Sequence, residues 1–343
     1  MRTVYAGIDA GSRYSHMAVV GERGDVIFNK PLATCEENIR KALRDVSQHR
    51  KVCLAVEESA LGAWIARIAR QEVDRVIVCD PRQNRWISKA TSKNDKVDAL
   101  KLAQLLRTGL LKEVYHPMDE DRAVFKVAVA HYHDVTGEAR RLKQKIKAHF
   151  LAYGLVVKGR ELFSEQGRQV WTERLPDAAI RAMVEQLFRM LDRTMKVKKQ
   201  AKALMVALGS KYPEIERFCR MPGIKDVVSC TFSGYVQDPG RFRTIRTLWK
   251  YCDLAVVHRT SCGKLVGREH LNKDGNSILK YVLGVAFNRA VGKCKEDNSF
   301  KRYYEESLKR TGSKTHARLN TQRRIALVLW QMWRKGEEYR IGA

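Results

Sequence analysis

The segment Ser92-Lys-Asn-Asp-Lys-Val-Asp-Ala-Leu-Lys-Leu-Ala-Gln-Leu-Leu106 places two acidic residues, Asp95 and Asp98, at the start of a predicted helix. Its alanines and leucines recur at the spacing of an apolar helix stripe. A separation of three residues puts both carboxylates on one face of that helix. Converging anionic oxygens suit a hard divalent cation such as Mg²⁺ or Mn²⁺. The alternative is that Asp95 caps the helix and Asp98 interacts with its positive end.

The chain upstream of this segment predicts a mixed α/β domain. Three strand-like runs joined by tight turns, at residues 4–9, 16–20 and 26–28, predict an antiparallel meander. Helices then alternate with strands at residues 52–56 and 73–79. This order is that of the ribonuclease-H-like fold, in which the first and fourth strands lie side by side at the centre of the sheet.

Acidic residues stand at the ends of both predicted central strands. Asp9 ends the first strand, and Glu57 and Glu58 follow the fourth. Open α/β sheets place their sites at the carboxyl ends of strands, so we expect Asp9 and Glu58 to meet the two acids of the helix. Four such carboxylates repel one another unless cations lie between them, which predicts a Mg²⁺ site. Either strand-end acid alone would more often be structural, but the two together in this order favour a site. Glu57 is the alternative to Glu58, because side chains alternate along a strand and only one of them can face the site.

The charge of the chain indicates a polyanionic partner. Of its 343 residues, 65 are Lys or Arg and 38 are Asp or Glu, which gives a formal net charge of +27. A hydrophobic content of 44% is that of folded domains rather than of a basic disordered tail. Because the positive charge is spread along the chain, nucleic acid fits better than a membrane, and no apolar run approaches a membrane span. The 8 cysteines occur without a Cys-x-x-Cys pair, which favours a reducing cytosol over a zinc site.

Residues 118–208 have a helical pattern throughout most of their length. Two long helices joined by an irregular segment at residues 154–177 predict an antiparallel coiled-coil arm. The first of them carries a basic run that includes Arg140, Arg141 and Lys143. These side chains either contact phosphates or form a solvated face.

The predicted domains are therefore 1–117, the arm at 118–208, and a mainly helical domain at 209–343. The last begins with a Pro-Gly turn between short helices, at residues 221–225, which is similar to a helix-hairpin-helix phosphate grip. A polar loop rich in glycine, serine, asparagine and basic residues follows at residues 253–276.

These motifs resemble those of the DEDD transposases of insertion sequences, a family that includes the Piv-type DNA invertases and bridge-RNA-guided recombinases. The resemblance runs nearly from end to end of the chain. Two positions differ from the family pattern, with Asn94 in place of threonine and Cys262 in place of glycine. The matching motifs are Gly7-Ile-Asp9, Glu58-Ser-Ala with Trp64, Lys93-Asn-Asp95-Lys-Val-Asp98-Ala, Pro222-Gly-Ile, Ser261-Cys-Gly-Lys264 and Lys273-Asp-Gly-Asn276.

The resemblance implies a fold class of α/β plus all-α. The N-terminal domain would be ribonuclease-H-like (RuvC-like), with a helical coiled-coil arm and a mainly helical C-terminal transposase domain after it. It also implies that Ser261 is the nucleophile, with Thr260 as the adjacent alternative. A serine hydroxyl needs a base or a metal to activate it. The acids expected to hold that metal are Asp9, Glu58, Asp95 and Asp98.

The implied reaction is attack of Ser261 on a DNA phosphodiester, which gives a phosphoserine link and a free hydroxyl. Arg259, Lys264 and Arg268 would steady the phosphate, or else are solvated loop charges. The implied partners are donor and target DNA, a structured noncoding bridge RNA, and further copies of the chain in a homodimer or homotetramer. The implied place of action is the bacterial cytoplasm, at the nucleoid.

Two other functions remain open on the sequence. The first is a metal-dependent endonuclease of the Holliday-junction kind, in which water attacks and Ser261 is incidental. The second is a nucleic-acid-binding protein without catalysis.

Overall fold

The computed structural model describes residues 2–81, 95–117, 119–258, 260–261, 264–267 and 269–339. The chain divides into two compact units, Met1–His116 and Pro117–Ala343. No helix in the described part of the chain is long and apolar enough to cross a membrane.

The first unit is a five-stranded mixed sheet with helices on both faces. Its elements are β1 (Arg2–Asp9), β2 (Tyr14–Val20), β3 (Val26–Ala33), α1 (Glu36–Ser47), β4 (Arg50–Glu57), α2 (Ala60–Ala69), β5 (Arg75–Cys79) and α3 (Asp95–Arg107). The strand order is β3-β2-β1-β4-β5. β1 pairs antiparallel with β2 and parallel with β4, so the predicted pairing of the first and fourth strands is confirmed. This arrangement is consistent with a ribonuclease-H-like domain.

Strand alternation divides the central residues between the two faces of this sheet. The even-numbered residues of β1 and β4, such as Ile8 and Leu54, pack in one core with α1 and α2. On the other face, Cys53 and Ala55 of β4 lie in a cluster with Leu106 of α3. The sheet therefore has α1 and α2 on one side and α3 on the other.

The second unit is almost entirely helical. Its elements are α4 (Glu120–Ala152), α5 (Glu165–Glu173), α6 (Ala178–Gly209), α7 (Pro213–Cys219), α8 (Asp226–Val236), α9 (Ile245–Tyr251), β6 (Val256–Val257), β7 (Thr260–Ser261), β8 (Lys264–Leu265), β9 (His270–Leu271), α10 (Ser277–Ala290), α11 (Ser299–Thr311) and α12 (Lys314–Lys335). The long helices α4 and α6 pack along each other. At one end they enclose a small core around Phe150 and Phe188, and at the other Phe125 and Met205 join the main core of the unit.

The segment between α4 and α6 is more ordered than the sequence suggested. The prediction of an irregular piece at residues 154–177 is wrong, because this segment contains α5. Ser164 caps that helix, with its hydroxyl oxygen accepting a hydrogen bond of 3.1 Å from the amide of Gly167. Trp171 packs edge-on against Phe150, with ring centroids 6.3 Å apart. Packing against the end of α4 therefore stabilises a helix that is too short to form alone.

The Pro-Gly turn at residues 222–223 joins α7 to α8. Gly223 has a left-handed backbone with φ of +78°, and a β-carbon there would lie 2.5 Å from the amide nitrogen of Ala290 and 2.6 Å from the carbonyl oxygen of Ala286. Only glycine lets α10 pack directly on this turn. A phosphate-binding role for the turn stays a prediction.

Candidate active site

Helix α3 lies directly on β1 because residue 7 is glycine. A β-carbon at Gly7 would lie 2.4 Å from the carbonyl oxygen of Ala99 and 2.7 Å from the amide nitrogen of Ala103, both in α3. Asp98 precedes Ala99, and Asp9 follows Gly7 by two residues on the same face of β1. The close approach of helix and strand thus brings these two acids to one corner of the first unit.

The two candidate glutamates at the end of β4 have different surroundings. Glu57 shares the face of Cys53 and Ala55, which α3 covers. Burial, and the neighbouring charges of Asp9 and Asp98, raise the pKa of Glu57 above that of an ordinary glutamate. The structure therefore brings Glu57 to Asp9 and Asp98, and these three residues are called the acidic cluster below.

Glu58 lies past the last residue of β4 and is directed elsewhere. Its side chain is 43% exposed, and its Oε1 lies 3.8 Å from Nε2 of His116. The sequence motif singled out Glu58, whereas strand alternation from Asp9 would have selected Glu57. The register explains the difference, because the β1–β4 pairing places Asp9 and Glu57 side by side.

The acidic cluster has the chemistry of a divalent-cation site, since carboxylates that repel one another are stabilised by a cation between them. Asp98 also lies 3.7 Å from Nζ of Lys101. The side chain of Asp95, at the first position of α3, lies outside the described residues. Among the side chains that are described, no three acidic, histidine or cysteine groups are close enough to hold a metal ion. A bound cation would therefore draw the acids together or take a further ligand from Asp95.

Ser261 lies on a two-tier antiparallel hairpin in the second unit. In the outer tier, β7 pairs with β8, with Ser261 opposite Lys264. In the inner tier, β6 pairs with β9, with Val257 opposite His270. The remaining residues predicted for this loop, Arg259, Cys262 and Arg268, and the side chains of Thr260, Ser261 and Lys264 lie outside the described part of the chain. Beside them, Nδ1 of His258 lies 2.9 Å from Oε1 of Glu269.

Sequence reasoning missed the polar residues that hold the base of this hairpin. Asp253 is 4% exposed and has a left-handed backbone, with φ of +55°. Its carboxylate accepts a hydrogen bond of 2.8 Å from the amide of Gly275. The available signal was an acidic residue between Cys252 and Leu254, two apolar residues of the core, since a buried charge is retained only where it has partners.

The cations predicted on the arm lie in different settings. Arg140 is exposed, and its Cζ lies 5.8 Å from the centre of the Tyr281 ring on α10. Arg141 forms an ion pair with Glu138 one turn earlier on α4. Such an exposed pair contributes little to stability and leaves the arginine available to exchange partners.

Lys143 and Arg140 form a cationic cluster with Lys198 of α6. Nζ of Lys143 lies 5.0 Å from the centre of the Phe163 ring. Burial, and then the charges of Lys143 and Arg140, lower the pKa of Lys198. An anion between the two helices would relieve the repulsion among these cations.

Comparison with known proteins identifies the family of this chain. Residues 6–154 match a transposase family model of the IS110 DEDD type, and residues 215–305 match the model described as "Transposase IS116/IS110/IS902 family". The chain is also 25% identical over 288 residues to a protein of Sinorhizobium fredii (strain NBRC 101917 / NGR234) named "Putative transposase y4qE", with 82% of this chain and 70% of that protein covered. The acidic cluster lies in the first matched region and Ser261 in the second. The chain belongs to the family of IS110-type DEDD transposases.

Proposed function

We propose that this protein cuts and rejoins DNA as the transposase of an insertion sequence, with Ser261 as the nucleophile and the acidic cluster as part of a Mg²⁺ or Mn²⁺ site. The observation that carries this proposal is the convergence of Asp9, Glu57 and Asp98 at the edge of a mixed sheet. In the same chain, a serine lies on a hairpin within the region that matches the second transposase model.

The residues that would hold the metal are Asp9, Asp95, Asp98 and one glutamate. The geometry supports Glu57 for that position, with Glu58 beside His116 at the rim as the alternative. A bound divalent cation lowers the pKa of a nucleophilic oxygen and stabilises the leaving one. Glu57 holds a proton more readily than an ordinary glutamate, and it would have to be deprotonated to serve as a ligand of a cation.

The serine step keeps the phosphorus in a diester linkage, because a bond to serine replaces a bond to a DNA oxygen. Oγ of Ser261 forms a bond to phosphorus and loses its proton, while one DNA oxygen leaves and takes up a proton to become a free hydroxyl. The reverse attack by a DNA hydroxyl releases the serine, so rejoining needs no external energy source. Arg259, Lys264 and Arg268 steady the phosphate in this proposal, because guanidinium and ammonium groups form charge-assisted hydrogen bonds to phosphate oxygens.

The nucleic-acid partners are donor and target DNA together with a structured noncoding bridge RNA. The net charge of +27 and the cationic cluster support backbone contacts that are independent of sequence. Base pairing with an RNA would then supply the choice of sequence. The protein would act where bacterial DNA lies, in the cytoplasm at the nucleoid.

The proposal includes a division of the chain into domains 1–117, 118–208 and 209–343, with a coiled-coil arm in the middle. One face of this arm supports the pairing of protomers. Along α6, residues spaced alternately by three and four are all exposed, which is the spacing of a coiled-coil seam. Every seventh residue of this row is a large apolar side chain. The row, called the α6 stripe below, consists of Met183, Gln186, Met190, Arg193, Val197, Gln200, Leu204 and Ala207.

A homodimer or homotetramer that packs through the α6 stripe fits the reaction. Strand exchange between two duplexes needs more than one active site. Apolar side chains that recur every seven residues on an exposed helix face can pack against the same row of a partner helix. The polar members of the stripe, Gln186, Arg193 and Gln200, would set the register of the pairing.

Trapping of a covalent adduct tests the proposal. The protein is incubated with Mg²⁺ and labelled DNA carrying the element ends, with its co-purified RNA, then denatured. We expect protein-linked DNA that is absent with Ser261→Ala and retained with Thr260→Val. Normal cutting by Ser261→Ala, without an adduct, would establish the water-attacking endonuclease instead. No cutting and no adduct with the wild type, together with unchanged nucleic-acid binding in Asp98→Ala and Glu57→Ala, would leave only a binding protein.

A further inference from the structure

The base of the hairpin that carries Ser261 is held by buried polar contacts on both of its ends. The chain leaves the core at Leu254 and returns at Asn272. At the return, the amide of Asn272 donates a hydrogen bond of 2.8 Å to the carbonyl oxygen of Ala255. Asn272 is only 3% exposed, and its side-chain amide donates a hydrogen bond of 2.9 Å to the carbonyl oxygen of Lys250. The two ends of the hairpin are therefore joined to each other and to the end of α9.

Asp253 is the centre of these contacts. Its left-handed backbone turns the chain out of α9, and its Oδ1 accepts hydrogen bonds from the amide of Gly275, at 2.8 Å, and from Nδ2 of Asn272, at 3.4 Å. Residue 275 must be glycine here, because a β-carbon would lie 2.6 Å from the carbonyl oxygens of Lys250 and Tyr251 and 2.7 Å from Oδ1 of Asp253. One buried carboxylate thus connects the start of the hairpin to the loop that follows it.

Arg323 of α12 holds the next residue along. Its Nε and Nη2 donate hydrogen bonds of 2.8 and 2.6 Å to the carbonyl oxygen of Leu254, at the point where the chain enters the hairpin. Trp249 supports this arginine from the other side: its Nε1 donates a hydrogen bond of 3.2 Å to the carbonyl oxygen of Arg323, and Cζ of Arg323 lies 5.5 Å from its ring centre. Partial burial lowers the pKa of Arg323, because a guanidinium that is half removed from water loses part of its solvation.

Stability of the core does not explain why charged side chains make these contacts. Burying a carboxylate and a guanidinium costs free energy, and apolar residues would fill the same space without that cost. What charged groups provide is direction, since each hydrogen bond fixes one backbone atom in one orientation. Small displacements of a nucleophile have large effects on the reaction rate. Fixing the two ends of the hairpin therefore matters most for Ser261, which lies on the outer pair of strands.

We propose that Asp253 and Arg323 are positioning residues for Ser261: they orient the two ends of its hairpin so that the serine is presented to the DNA phosphate in one pose. This inference rests on the proposed nucleophilic role of Ser261. Neither residue touches the substrate, and both act through the backbone at residues 254 and 275.

The test compares variants at Asp253 with a matched control. Asp253→Asn keeps an oxygen acceptor and tolerates the left-handed backbone, whereas Asp253→Ala loses both. Asn298→Ala is the control, because Asn298 is also buried in the second unit, accepts and donates several backbone hydrogen bonds, and is remote in sequence from the hairpin. The readouts are the single-turnover rate of the Ser261-dependent adduct, the affinity for DNA, and hydrogen exchange of residues 256–271.

We expect Asp253→Ala to slow adduct formation by about 10- to 100-fold with little change in DNA affinity, and to speed exchange of the hairpin amides. Asp253→Asn should restore most of the rate, and Asn298→Ala should leave the rate and the hairpin exchange unchanged below its own unfolding temperature. An Asp253→Ala rate equal to that of Asn298→Ala would overturn the inference.

A second variant and a wild-type measurement separate failure of the positioning role from failure of the proposed function. Should Asp253→Ala fail to fold, Arg323→Gln, which removes the paired donors to Leu254 from outside the hairpin, must show the same slow adduct formation and fast exchange. Wild-type protein without any Ser261-dependent adduct would refute the proposed function itself. Wild-type adduct formation with unaffected Asp253 and Arg323 variants would refute only the positioning role.

Discussion

Asp9 and Glu57 lie at matching ends of two adjacent parallel strands, because Ile8 of β1 pairs with Val56 of β4. Both side chains face α3, where Asp98 adds a third carboxylate. Burial comes first among the causes that raise the pKa of Glu57, and the charges of Asp9 and Asp98 add to it. The strand register, rather than the acidic motif alone, thus decides which glutamate joins the cluster.

Glu57→Gln should raise the melting temperature of the protein at pH 7 in the absence of divalent cations. The pKa of Glu57 is higher in the folded state than in the unfolded state, so folding disfavours the charged form of this side chain. The free energy of unfolding therefore falls as the pH rises from the unfolded pKa through the folded pKa. Removing the charge relieves the repulsion. Mg²⁺ should raise the melting temperature of the wild type but not of Glu57→Gln, as followed by calorimetry.

Glu58→Gln is the matched control for that experiment, since its side chain lies beside His116 outside the cluster. It should change the melting temperature little and keep the response to Mg²⁺. A lost response in Glu58→Gln, together with a normal one in Glu57→Gln, would assign the ligand to Glu58.

Gly7→Ala should destabilise the first unit by about 1–3 kcal/mol and abolish DNA cleavage, because the new methyl group would overlap the backbone of α3 at Ala99 and Ala103. Displacement of α3 would separate Asp98 from Asp9. Hydrogen exchange of α3 and cleavage assays measure the two effects. Gly137→Ala, where a β-carbon meets only the end of the Arg141 side chain at 3.8 Å, should be neutral or slightly stabilising. Wild-type cleavage by Gly7→Ala would contradict the close packing of α3 on β1.

Acid should loosen the contact between α1 and the turn after α2, which contains Glu72. The carboxylate of Glu72 accepts hydrogen bonds of 2.7 Å from Arg40 and 2.8 Å from Arg44, and these arginines lower the pKa of Glu72 to about 2. Because this value lies below the unfolded one of about 4.3, the contribution to stability is complete above pH 4.3 and is lost as the pH falls towards 2.

Glu72→Gln should therefore weaken the hydrogen-exchange protection of α1 at pH 7 and make it less sensitive to acid than in the wild type. Glu37→Gln, an exposed position on the same helix, should preserve the wild-type profile. Equal acid sensitivity in wild type and Glu72→Gln would show that the arginine pair contributes nothing there.

The cationic cluster should contribute to nucleic-acid binding in a salt-dependent way. Replacing Arg140, Lys143 and Lys198 together by glutamine should weaken binding to duplexes of any sequence and lower the slope of log K against log salt by about 2–3. Lys41→Gln, an exposed cation on α1, is the control and should alter the slope by less than about 1. An unchanged slope in the triple variant would place the phosphate contacts elsewhere.

The α6 stripe should hold protomers together. Met190→Glu combined with Val197→Glu puts two charges into its apolar positions and should shift the protein towards monomer in sedimentation experiments, with the helical content retained. Lys199→Glu makes the same change of net charge off the stripe and should leave the assembly intact. Wild-type assembly in the double variant would exclude this surface as the interface.

The sequence by itself determined the order of the elements and the residues with chemical potential. Periods of two and of 3.6 residues report local backbone geometry, so the strands of the first unit and the long helices of the second follow from the apolar pattern. The separation of Asp95 from Asp98, and the placement of Asp9 at a strand end, are likewise local. The family resemblance, carried by short motifs, was confirmed by the family models.

Only the tertiary structure decided which of these residues meet. The parallel register of β1 and β4 brings Glu57, not Glu58, beside Asp9, and the missing side chain of Gly7 lets α3 approach. The contacts of Asp253 and Arg323 join segments distant along the chain. The physical reason is that a motif specifies side chains along one segment, whereas register, close packing and buried hydrogen bonds depend on atoms that other segments supply.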